Sequence, residues 1–94
     1  MLLISASREH LKREVWNKAH AVPGADPAQW RKDAHGFVIA YADHGSLASP
    51  FGWVMHHIKP KSRGGTDALF NLQPLNTSRA RESQDPKPWL KRKR

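Results

Sequence analysis

Two short apolar runs, residues 53–58 ("WVMHHI") and 72–75 ("LQPL"), stand on either side of Gly64-Gly65, and this arrangement restricts the chain more than any other feature of it. The first run is rich in aromatic and β-branched residues and stops at Lys59-Pro60, which reads as a strand ending there. Gly64-Gly65 forces a flexible turn, and Pro74 biases Gln73 toward extended geometry. Asn76 or Thr77 can then cap a helix over residues 78–84, closed by Asp85-Pro86. The order is strand, loop, strand, helix.

Upstream, Leu11, Val15, Trp16 and Ala19 fall on one face of a helix expected over residues 7–20, with Ser7 able to cap it. Pro23-Gly24 ends that element. Asp26-Pro27 starts a short helical turn reaching Trp30, and residues 37–41 ("FVIAY") read as a further strand between Gly36 and Asp43-His44-Gly45. With 94 residues and no repeat, the chain is expected to form one domain (residues 1–94), its core over about 36–85 and a basic tail over about 86–94. It has no cysteine, so neither disulfides nor a thiolate zinc site can brace it, and Trp16, Trp30, Phe37 and Trp53 are expected in the core. The opening apolar run, residues 1–4, is far shorter than a signal-peptide core or membrane span. The chain is expected to be soluble, cytoplasmic and without a membrane partner.

Lys and Arg number 16 against 8 Asp and Glu, a net charge of +8, so the surface attracts polyanions and DNA is the first partner to consider. The charge is spread along the chain, which favours a folded binding face over a lone basic arm. Lys59, Lys61 and Arg63 surround the glycine turn, and Arg79 and Arg81 fall on the expected last helix; all five are expected to meet phosphates.

The chemistry centres on His56-His57. Adjacent residues of a regular strand point to opposite faces, so both imidazoles serve one site only where the strand ends or bulges, and Lys59-Pro60 favours an ending. One imidazole can bind a divalent cation while the other accepts a proton from water, since histidine titrates near neutrality. Asn71, fourteen residues after His57, both donates and accepts hydrogen bonds and could fix the loop that aims the base. His10, His20, His35 and His44 have no partner spacing and are expected to be solvated or locally bonded.

The stretch "FGWVMHHIKPKSRGGTDALFNLQPL" resembles the HNH endonucleases of the small bacterial or phage type. The likeness is close over residues 53–83 and looser upstream, where "VWNKAHAVPGADPAQWRKDAHGFVIAYADHG" resembles the leader of one bacterial subgroup. It implies an α+β fold, a ββα-metal core behind an N-terminal helix and loop, and metal-dependent hydrolysis of DNA phosphodiesters. Carried over by position, it implies that His56 is a metal ligand, His57 the general base and Asn71 the residue that positions the base. The last motif position, a ligand in the family, is Ala80 here, nine residues after Asn71. Alanine cannot ligate, so either a shifted helix brings Asn76 or Glu82 to complete the site or metal affinity is poor. Mg²⁺ or Mn²⁺ is the metal the resemblance implies, and an imidazole at position 56 also suits Zn²⁺ or Ni²⁺.

Two other readings remain beside it. Ala80 is compatible with a catalytically weakened HNH-fold module that binds DNA without cutting it. The basic surface would equally suit a domain recruited by a protein partner in a larger phage, plasmid or restriction system.

Overall fold

The structure, a computed structural model, describes residues 2–78. It has a mixed α+β fold. Helix α1, Leu2–Trp16, is followed by a small antiparallel sheet of β1 (His20–Ala21), β2 (Trp30–Lys32) and β3 (Val38–Ala40), and by a hairpin of β4 (Trp53–His57) and β5 (Leu72–Asn76).

Helix α1 differs from the expected span at both ends. Ser7 lies within it rather than at its start, and it stops at Trp16, four residues short of His20. Past Trp16 the backbone tightens to i→i−3 bonds, Lys18 N–H donating to Val15 O and Ala19 N–H to Trp16 O, each at 3.0 Å, and side chains at this end reach other segments. Trp16 Nε1 donates to Pro27 O at 3.0 Å, and Lys18 Nζ donates to Leu69 O at 2.9 Å and also to Leu72 O. The chain leaves the helix axis there, and His20 joins β1 instead, paired with Lys32 of β2.

The core forms where α1 lies on the hairpin. Val15, Trp16, Ile39, Trp53 and Leu72 are buried there, with Leu11, Tyr41 and Met55 around them. The Trp16 ring sits 5.2 Å from both Tyr41 and Trp53, edge-on to the first and tilted to the second. Such pairs add about 0.5–1.5 kcal/mol beyond their buried area.

Trp30 and Phe37 are not core residues, contrary to expectation. They are 37% and 42% exposed, because each borders the three-stranded sheet, and Trp30 packs edge-on against Phe51 at 5.3 Å instead.

Asp33 and Asn76 join the two sheets. Asp33 is fully buried; its Oδ1 accepts the His35 and Phe37 N–H groups at 3.0 and 2.9 Å, and its Oδ2 accepts Asn76 N–H at 2.9 Å. A buried carboxyl group is tolerated when its oxygens are hydrogen-bonded, and here three backbone donors converge. Asn76 Nδ2 donates to Val38 O and Pro50 O, and its Oδ1 accepts Ser78 N–H at 3.0 Å, the capping bond expected at the head of a last helix. Thr77 and Ser78 begin a helical turn. The remainder of that expected helix, with Arg79, Ala80, Arg81 and Glu82, and the basic tail lie outside the described residues. Among the described residues, no helix is long and apolar enough to cross a membrane.

Candidate active site

The β4–β5 hairpin runs in regular antiparallel register, with His56 opposite Gln73 and His57 opposite Leu72. His57 is the last residue of β4, and the ladder closes one step later where Ile58 N–H donates to Asn71 O at 2.8 Å. No residue is looped out, so the two rings leave the strand on opposite faces. His57 shares the face of Trp53 and Met55, which α1 covers.

Between the strands the chain makes a tight loop whose glycines have separate reasons. Gly64 follows a 3₁₀ turn over Lys61–Arg63 and takes φ +92°, a left-handed conformation that side chains resist. At Gly65 the constraint is space, since a Cβ there would lie 1.8 Å from Lys59 O. The buried Asn71 side chain ties this loop together. Its Oδ1 accepts Lys59 N–H at 2.8 Å, and its Nδ2 donates to Lys59 O at 3.1 Å and Thr66 O at 2.8 Å. Asn71 therefore grips the loop backbone rather than His57 itself.

The loop delivers Asp67 to the His57 ring. His57 Nε2 and Asp67 Oδ1 are 2.7 Å apart, and Lys61 Nζ lies 3.5 Å from the same oxygen. The hydrogen bond from His57, reinforced by the Lys61 ammonium, holds the Asp67 carboxyl below the ordinary carboxylate range. An ionised carboxylate can only accept, so Nε2 carries a proton, and in the neutral form of the ring the lone pair is on Nδ1. That is the tautomer a general base needs.

His57 and Asp67 border an open cleft of about 570 Å³, walled on the other side by Arg8, Lys12 and His44. The His44 ring rests edge-on against Trp53 at 4.6 Å, and burial, with Lys12 nearby and Glu9 opposing, lowers its pKa below 6.5.

His56 lies outside this cleft. Its Nδ1 is buried without a hydrogen-bond partner, and burial, with the His57 and His35 imidazoles, lowers its pKa. A neutral imidazole is chemically able to ligate a metal, but this ring faces away from His57, so the two histidines do not form the single site expected of them. Among the described residues no group of three His, Cys, Asp or Glu is placed to hold a metal. Further donors would have to come from Glu82, from water or from substrate.

Asn76 does not supply one. It pairs with Trp53, three rungs from His56 and on the other face of the hairpin, and its carboxamide is committed to Val38, Pro50 and Ser78. The suggestion that Asn76 completes a metal site fails on that geometry. Lys59, Lys61 and Arg63 are exposed on the loop beside Asp67, whereas Arg79 and Arg81 fall outside the described residues.

Local sequence marks Asp67, like Thr66, only as a candidate turn cap, and carries no signal for its pairing with His57 or for the α1 wall of the cleft. Thr66 Oγ1 instead takes the local bond, accepting Ala68 N–H at 3.3 Å. Protein-family models, curated proteins and solved structures contain no match to the chain.

Proposed function

We propose that the chain is a metal-dependent DNA endonuclease of the HNH kind, with His57 as general base. The observation that carries this reading is the 2.7 Å contact between His57 Nε2 and Asp67 Oδ1 at the edge of an open cleft. Further support comes from the strand, glycine loop and strand that hold the pair, from the loop cations Lys59, Lys61 and Arg63, and from the net charge of +8.

A water in line with the departing 3′ oxygen attacks phosphorus and gives its proton to His57 Nδ1. The imidazolium that forms lies against the Asp67 carboxylate, which stabilises it without taking the proton. The bond from phosphorus to the 3′ oxygen breaks, leaving a 5′ phosphate and a 3′ hydroxyl once solvent protonates the alkoxide. General-base catalysis of this kind contributes about 10²–10⁴-fold. Asn71 keeps Asp67 in reach by closing the loop that carries it. A divalent cation, Mg²⁺ or Mn²⁺ by resemblance and Zn²⁺ or Ni²⁺ by the imidazole donor, would supply positive charge to the phosphate and its leaving oxygen, but His56, on the face of β4 opposite His57 and outside the cleft, could not by itself bring it there.

Ala80 favours one second reading, a module of the same fold that binds duplex DNA without cutting it. Supercoiled plasmid incubated with Mg²⁺, Mn²⁺, Zn²⁺, Ni²⁺ or EDTA separates the two. The nuclease nicks with at least one metal and not in EDTA; nicking in EDTA would sink the metal dependence, and no nicking with any metal would favour the binding module.

A further inference from the structure

The cleft beside His57 has a second wall that comes from outside the hairpin. Arg8 and Lys12 are four residues apart on α1, so both project to one side of the helix, with Cβ atoms ~5–6 Å apart. Both line the cleft that His57 and Asp67 border, above an apolar floor of Met55 and Leu72. From this placement the geometry points to a phosphate-binding wall: Arg8 and Lys12 seat the DNA phosphate that adjoins the one presented to His57. The inference rests on the nuclease reading for its substrate, and on the cleft for its residues.

Charge pairing within the cleft singles out Arg8. Asp67 is engaged by His57 and Lys61, and Glu9 by Lys12 at 3.2 Å. Arg8 has no acidic partner among the described residues. The uncompensated charge facing the cleft is therefore a guanidinium, whose planar fork suits a phosphate. Lys12 is pre-positioned, with its ammonium 5.0 Å from the centre of the Tyr41 ring and its side chain only 20% exposed. A cation already held in place loses little side-chain freedom when a phosphate arrives. His44, its pKa lowered by burial, adds no positive charge at physiological pH to a wall that carries Arg8, Lys12 and Glu9.

The arrangement gives α1 a role beyond packing. The hairpin loop offers Lys59, Lys61 and Arg63 on one side of His57 and the helix offers Arg8 and Lys12 on the other. A DNA strand between them is held on both sides of the scissile bond. Positioning of that kind limits the freedom of the phosphate that water must attack.

The test is equilibrium binding of a fluorescent DNA duplex in EDTA, across a salt series, with the full chain and with Arg8→Gln, Lys12→Gln and the double variant. Plasmid nicking with metal is measured alongside. Removing one cation from a phosphate should lower the slope of log affinity against log salt by about 0.9 and weaken binding about tenfold near 0.1 M salt. Where nicking is measurable, the same variants should raise KM. Arg8→Gln breaks no ion pair among the described residues, so it reports even where loss of the Lys12 packing on Tyr41 unfolds the double variant. An unchanged slope and affinity for Arg8→Gln, with Lys59→Gln weakened in the same series, overturns the proposal and leaves the nuclease reading standing. A lowered slope in a chain that nicks with no metal supports the α1 wall while the nuclease reading fails.

Discussion

Asp67 and His57 are ten residues apart in the chain and share a 2.7 Å hydrogen bond through Nε2, so the neutral form of the ring has its lone pair on Nδ1. An amide at position 67 can donate as well as accept and so releases the ring to the other tautomer. Asp67→Asn should lower single-turnover nicking about 10- to 100-fold, less than the ~10⁴-fold loss at a buried triad carboxylate, because Asp67 is exposed. DNA affinity should hold or tighten slightly, since a negative charge leaves the cleft. Equal loss of binding and nicking would show that Asp67 does not act through His57.

Asn71 should matter to stability first and to chemistry through it. Asn71→Ala removes three hydrogen bonds and leaves the Lys59 and Thr66 backbone groups without their partner. The cost should be about 2–4 kcal/mol, read from urea unfolding. Nicking at temperatures where the variant stays folded should also fall, as the loop no longer holds Asp67 against His57.

The two glycines of the loop should respond differently to alanine. At Gly64 the penalty is conformational, about 1–2 kcal/mol, because a Cβ there comes no nearer than 3.8 Å to Lys59 Nζ, the mobile end of a side chain. Gly65→Ala has no such freedom. Its Cβ would meet the Lys59 carbonyl at 1.8 Å, so the backbone must open and Asn71 releases that carbonyl. Thermal melts of the two variants should place Gly65→Ala well below Gly64→Ala.

Stability should depend on pH through His44. Above 6.5 the neutral imidazole prevails both folded and unfolded, and its burial carries no protonation penalty. Below 6.5 the unfolded chain takes up a proton that the folded chain resists, so stability is lost as pH falls from 6.5 toward the lowered folded value. His56, also lowered by burial, acts in the same direction, whereas the lowered Asp67 has its effect only in more acid solution, below 3.8. Melting temperature should fall between about pH 7.5 and about pH 5, and less steeply in His44→Leu.

The hairpin was legible in the sequence because its punctuation is local: Lys59-Pro60 ends one strand, Gly64-Gly65 turns the chain, and Pro74 keeps the second strand extended. The loop-fixing bonds of Asn71 follow from the same stretch. What decides the partner of His57 is not local, since Asp67 reaches it only after the 3₁₀ turn and the Asn71 bonds have folded the loop back. Asp33 was equally hidden. Its bond with Asn76 spans 43 residues and joins two sheets, of which β1 and β2 are too short and polar for any periodicity to show. The helix pattern of α1 marked Leu11, Val15 and Trp16 as core, but it carried no information on which element Arg8 and Lys12 would face.

The most direct measurement of the central claim is single-turnover cleavage of plasmid DNA by wild type and His57→Ala, at protein concentrations that saturate binding of each. The account predicts metal-dependent nicking by the wild type, lowered about 10²–10⁴-fold in the variant at unchanged DNA affinity. Nicking at the wild-type rate by His57→Ala would contradict it.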